Sequence, residues 1–166
     1  SLRRLGVDVI DLYQVHRPDL LAHPAEVAGV LDALVDAGKV RAVGVSNHTP
    51  AQTEALAAHL RAPLVSTQPE LSALELAALR DGTGDLAMRT GLAVLAWSPL
   101  AGGRLAGSGP STDDSIGPNL VATLDGLAVR ERVDRATIAL AFLLALPFRP
   151  VAILGTQSVE RLRASA

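Results

Sequence analysis

Short apolar runs alternate with amphipathic stretches along the chain, and the alternation predicts strand and helix in turn. Val7 to His16 reads as a strand that ends on a histidine, followed by the turn residues Arg17-Pro18-Asp19. Pro24 to Ala37 carries Val27, Val30, Leu31, Leu34 and Val35 at helical spacing, with Gly38 as its stop. Val40 to Ser46 is a second strand, and Thr49-Pro50 opens a helix to about His59 or Leu60, with Thr49 as cap and Pro50 in the first turn. Leu64 to Gln68 is a third strand. Leu74 to Arg89 reads as two helical pieces broken near Asp81-Gly82-Thr83-Gly84. Leu92 to Trp97 is a fourth strand, and residues 101–118 form a long Gly-, Ser- and Pro-rich loop. Helices from Asn119 to Val133 and from Asp134 to Leu146 follow, the second capped by Asp134. Pro147 and Pro150 precede a fifth strand, Val151 to Leu154, and Ser158 to Ala166 begins a last helix. Ser1 to Gly6 reads as the end of a helix already under way.

Apolar strands separated by helices require a parallel sheet with covered faces. An open doubly wound sheet and part of a β/α barrel both satisfy this. No GxGxxG opens a helix after a strand, which removes the main support for a dinucleotide fingerprint of the open-sheet kind. Polar residues instead gather just after the strands, at His16, Ser46-Asn47, Gln68, Trp97-Ser98 and Gly155-Thr156. In a barrel those positions line one mouth. The expected architecture is therefore α/β, a partial (β/α)8 TIM barrel of five parallel strands with covering helices, forming a single domain over residues 1–166. A full barrel takes about 250 residues, so three strands are expected to be absent upstream.

Composition narrows the function. Among 166 residues, 49% are hydrophobic and the formal net charge is −2, with no run of like charges. Neither a nucleic-acid surface nor a membrane patch is indicated, and no apolar stretch reaches the roughly 20 residues of a membrane span. The absence of cysteine removes disulfides and thiolate metal sites and suits a cytoplasmic setting. No metal site is expected: Asp113-Asp114 has no third ligand at a suitable spacing. His23 and His59 are expected on the surface.

In this order the strand-end motifs resemble the aldo-keto reductase family over essentially the whole chain. Leu12-Tyr13-Gln14-Val15-His16-Arg17-Pro18-Asp19 is similar to the family's fourth strand, which would make His16 the catalytic histidine. Gly44-Val45-Ser46-Asn47 and Gln68-Pro69-Glu70 resemble the fifth- and sixth-strand motifs. By that resemblance Ser46, Asn47 and Gln68 hold the nicotinamide carboxamide. The segment from Ala96 to Gly103 resembles the seventh-strand region. It implies that Trp97 stacks on the nicotinamide while Ser98, Leu100, Gly102, Gly103 and Arg104 approach the pyrophosphate. Ile153-Leu154-Gly155-Thr156 with Arg161 matches the segment for the adenosine 2′-phosphate. The implied cofactor is NADP (NADPH), with NAD as the alternative, and the implied substrate is a small carbonyl compound. Three departures stand out: Trp97 where Tyr is commoner, Gly155 where many members carry Lys, and His48 where Phe is usual.

Elementary chemistry agrees with these roles. A carboxamide needs paired donors and acceptors. A flat ring needs an apolar wall, and a pyrophosphate needs exposed backbone N–H groups such as glycines allow. Thr156 and Ser158 lie where a helix start would meet an anion. The family's proton-donating Tyr, its Lys and its Asp would all lie upstream of the His16 strand. Tyr13 is an odd number of positions from His16 and so faces the other side of the sheet. Lys39 precedes a strand, at the opposite end of a barrel. The chain alone is therefore expected to be inactive, and its uncovered outer strands are expected to promote self-association. A non-catalytic nucleotide-binding module is the second expectation. An aldolase-type barrel is disfavoured because Lys39 is misplaced for a Schiff base.

Overall fold

The structure is a computed structural model that describes residues 1–107 and 118–164. The loop expectation for 108–117, including Asp113-Asp114, and the last two residues of the final helix lie outside the described residues. The order is α1 (Leu2–Leu5), β1 (Ile10–Val15), α2 (Pro24–Asp36), β2 (Val40–Ser46), α3 (Pro50–Ala57), β3 (Leu64–Gln68), α4 (Ala77–Arg80) and α5 (Thr83–Thr90). There follow β4 (Ala93–Trp97), a 3-10 turn (Ala101–Gly103), α6 (Pro118–Glu131), α7 (Arg135–Leu144), β5 (Val151–Ile153) and α8 (Val159–Ala164). The strands pair in chain order, all parallel.

Two compact units divide the chain: Ser1–Pro69 with Asp81–Val94, and Glu70–Arg80 with Leu95–Ala166. In the first, Val43 and Val45 of β2 are fully buried with Ala28 and Leu31 of α2 and Leu56 of α3, and Tyr13 and Val15 pack against them. Strand alternation thus sends Tyr13 to the helix-covered face, as its spacing from His16 predicts. The other face carries a polar row, because Gln14, Gly44 and Ser66 stand in register across β1, β2 and β3. Ser46 and Gln68 form the next row.

The ends of the helices follow local chemistry. Thr49 makes a capping box with Gln52, each side chain accepting from the other's backbone N–H at 3.2 and 2.9 Å, and Pro50 sits in the first turn. His23 caps α2 through Nδ1, which accepts from the Ala25 N–H. Asp32, 5% exposed on α2, accepts from the backbone N–H groups of Arg61 and Ala62 and from the Arg61 side chain. Those bonds, the one from Ala62 foremost, hold its carboxyl below the usual carboxylate range and tie down the turn leading into β3.

In the second unit, Leu71, Ala78, Ala96 and Leu143 form one buried cluster, and Ala101, Leu105, Leu124 and Ala139 form another. The Asp134 side chain caps α7, accepting from the Thr137 N–H at 2.7 Å. Arg135, 4% exposed, grips Asp125 with two hydrogen bonds of 2.6 and 2.8 Å. The Asp125 carboxyl is lowered by that bond.

Several boundaries differ from the sequence pattern by one to a few residues. β1 begins at Ile10 because the Val7 N–H bonds back to Leu2 O, and its ladder ends at Val15, leaving His16 just beyond. Residues 74–76 are not helical: the Ser72 hydroxyl accepts from the Leu74 and Glu75 N–H groups and bends the chain there. β5 stops at Ile153 and α8 begins at Val159, each one residue inside the predicted limit.

Candidate active site

In the first unit the residues at the carboxyl ends of β1, β2 and β3 are bonded to one another. Asn47 follows β2 with φ 57°, a left-handed conformation that Asn tolerates better than most residues. That geometry lets its Nδ2 donate to His16 O at 3.0 Å and to Ser46 Oγ at 3.1 Å. The Asn47 backbone N–H and the Ser46 hydroxyl both donate to Gln68 O, at 3.1 and 2.8 Å. His16, Ser46, Asn47 and Gln68 are thus brought together, through the backbone carbonyls of His16 and Gln68 as much as through their side chains. The His16 ring is exposed at the end of β1. His48 is half-buried, and its Nδ1 donates to Ser46 O at 2.8 Å. Burial holds its pKa below the ordinary histidine value, against the opposing effect of that bond.

In the second unit a cleft of about 1620 Å3 is lined by Trp97, Ser98, Leu100, Gly102, Gly103, Gly155, Thr156 and Arg161, among others. Ser98 (φ 53°), Gly102 (φ 67°) and Gly103 (φ 93°) turn the backbone sharply after β4. A Cβ added at Gly102, Gly103 or Gly155 would meet nothing within 4 Å, so the space over these backbones is open. Strained non-glycine backbone at Asn47 and Ser98, each directly after a strand, is of the kind that accumulates at functional positions. Arg104 is not among the cleft-lining residues; its Nε donates to Ala101 O at 2.9 Å and closes the turn.

The first turn of α8 is partly satisfied by its own chain. Thr156 Oγ1 accepts from the Ser158 N–H, and Ser158 Oγ accepts from the Arg161 N–H. The Ser158 hydroxyl also donates to Glu160 at 2.7 Å, and this bond lowers the Glu160 carboxyl. Sequence reasoning missed Gln14, Ser66 and the Asp125, Asp134 and Arg135 part of the cleft wall. Gln14 could have been found: it lies two positions before His16, so it shares that residue's face, and it is polar within an apolar run.

The cleft of the second unit holds an indole, glycine backbones under open space and Arg161, which suit an aromatic ring and the phosphates of a dinucleotide. The strand ends of the first unit, taken by themselves, offer side-chain amides and a hydroxyl, which suit a primary carboxamide. Among the described residues there is no cluster of three or more His, Asp or Glu able to hold a metal ion, and no helix is long and apolar enough to cross a membrane.

The sequence profile of the Aldo/keto reductase family matches residues 1–166. A 6-dehydroglucose reductase of Novosphingobium aromaticivorans is 48% identical over 166 residues, which are 100% of this chain and 53% of that protein. A second 6-dehydroglucose reductase, from Agrobacterium fabrum, is 38% identical over 100% of this chain and 54% of its own length. Among solved structures, the crystal structure of the thermostable aldo-keto reductase Tm1743 with the inhibitor epalrestat superposes with a TM-score of 0.88 and 28% identity. It covers 99% of this chain and 56% of that one. This chain therefore spans about half the length of the relatives it matches. Its five parallel strands and their helices are those of a partial (β/α)8 barrel, and the chain belongs to the aldo/keto reductase family.

Proposed function

We propose that the protein takes part in NADP-dependent reduction of a small carbonyl compound, and that residues 1–166 carry cofactor-binding and substrate-positioning groups. The observation that carries this reading is the open cleft floored by Gly102, Gly103 and Gly155 and walled by Trp97 and Arg161. Ser46, Asn47 and Gln68 are proposed to hold the carboxamide, Trp97 to wall the ring, and Ser98, Leu100, Gly102 and Gly103 to meet the pyrophosphate. Arg104 closes its turn and is proposed to act by shaping that backbone. Gly155, Thr156 and Arg161 are proposed to take the adenosine 2′-phosphate, with the Arg161 guanidinium as its cation. A bound nicotinamide supplies the reducing hydride.

His16 is proposed to donate from its exposed ring to the substrate carbonyl oxygen, orienting it and stabilising charge that develops there. The matching proton must come from an acid. The only tyrosine, Tyr13, packs among the helix-facing apolar residues, and the only lysine, Lys39, precedes β2. We propose that the acid lies outside these 166 residues, so that the chain alone binds cofactor without turnover. The 48% identity to a 6-dehydroglucose reductase supports an oxidised sugar as substrate. A cytoplasmic setting belongs to the same proposal.

Fluorescence titration with NADPH and NADH tests the cofactor assignment; tighter binding of NADPH is expected, and no binding of either would overturn it. Steady-state assay with 6-dehydroglucose tests the rest. Turnover is expected once a partner segment carrying the Tyr, Lys and Asp is supplied, and turnover by the isolated chain would refute the external acid. If the reconstituted protein binds NADPH and reduces no carbonyl compound, a nucleotide-binding module is the better description.

A further inference from the structure

We infer that Gln14 is a positioning residue that holds the amide of Gln68 in one sense, taking its NH2 and leaving its carbonyl oxygen to accept a primary-amide N–H. The inference rests on the nicotinamide reading above. Gln14, Gly44 and Ser66 form one row across three strands. Gly44 has no Cβ, and an added one would stand 2.2 Å from Ser66 Oγ and 3.1 Å from Gln14 Cγ. The Gln14 side chain therefore lies across β2 and reaches β3. Its Nε2 points to Ser66 Oγ at 3.1 Å and Val45 O at 3.4 Å, and its Oε1 accepts from Gln68 Nε2 at 2.6 Å.

The order of these bonds sets the sense of the chain. A backbone carbonyl can only accept, so the Val45 side of Gln14 must be its NH2 and the Gln68 side its oxygen. Gln68 must then present NH2 to Gln14. Its Oε1 accepts no hydrogen bond among the described residues. A flipped Gln68 would set an oxygen against the Gln14 oxygen and offer NH2 to an incoming NH2, losing both interactions. Gln14 thus selects which end of a carboxamide Gln68 accepts, and with it which way round the nicotinamide lies.

Dissociation constants for NADPH and its 3-acetylpyridine counterpart test this, because the methyl ketone has no N–H to donate. Wild-type protein is expected to prefer the amide by about 5- to 10-fold, the weight of one hydrogen bond. Gln14→Met keeps the length but loses the amide oxygen, and should bring the ratio close to one with unchanged circular dichroism. Gln14→Glu keeps an acceptor for Gln68 Nε2, gives up the long contact to Val45 O and lets the Ser66 hydroxyl donate to its second oxygen, and should restore the preference. An unchanged ratio in Gln14→Met overturns the inference and leaves the cofactor reading intact, whereas wild-type protein that binds neither compound overturns both. Should Gln14→Met fail to fold, NMR of the wild-type protein decides: contacts between the Gln68 Nε2 protons and the Gln14 side chain are expected, and their absence overturns the inference.

Discussion

At the scale of single residues, the polar face of the first unit is built around one missing side chain. Gly44 stands in β2 because anything larger collides with Ser66. Gly44→Ala should destabilise the protein by about 1–3 kcal/mol, the usual cost of overpacking. Urea denaturation would measure it, and Gly44→Ala with Ser66→Ala should recover part of the loss, a non-additivity expected of touching residues. A second prediction concerns His48. Its folded pKa lies below its unfolded one, so the unfolded state binds the proton more readily as pH falls. Stability linked to His48 is then fully present above the ordinary histidine value of about 6.5 and is lost as pH drops through the folded value. The urea midpoint should fall between pH 7.5 and 5.5, and fall less in His48→Phe; equal falls would show that His48 is not responsible.

Elements depend on caps as much as on apolar periodicity. α3 is eight residues long and starts on a complete capping box. Thr49→Ala should cost roughly 1 kcal/mol by loss of the cap, read as a lower urea midpoint with unchanged slope. Because Asn47 and His48 lie between β2 and this helix, fraying at Thr49 should also weaken the NADPH binding proposed above, whereas a distant surface substitution of equal cost should not. The capping side chains Thr49 and Asp134 were legible in the sequence because an N-cap is a local event between neighbours. His23 as a cap and Ser72 as the breaker before α4 were not, since an imidazole rarely caps and a serine in an apolar stretch carries no unique signal.

For the whole molecule, the strands at the ends of the order, β1 and β5, carry exposed apolar residues: Leu12 is 36% exposed, Val151 54% and Ile153 39%. Unpaired strand edges of that kind recruit other strands. Sedimentation of the 166-residue chain should show association that rises with concentration, and a compact monomer throughout would contradict this. The strand order, the parallel pairing and the family were legible in the chain alone, because each follows from local periodicity and from motifs placed at successive strand ends. The tertiary structure decided which of those residues bond to one another. It tied Asn47 to the His16 carbonyl, turned Arg104 back onto its own turn, engaged Ser158 with Glu160 and placed Gln14 across Gly44. Periodicity states which face a side chain takes, whereas the direction of a hydrogen bond depends on atoms brought together from strands far apart in sequence.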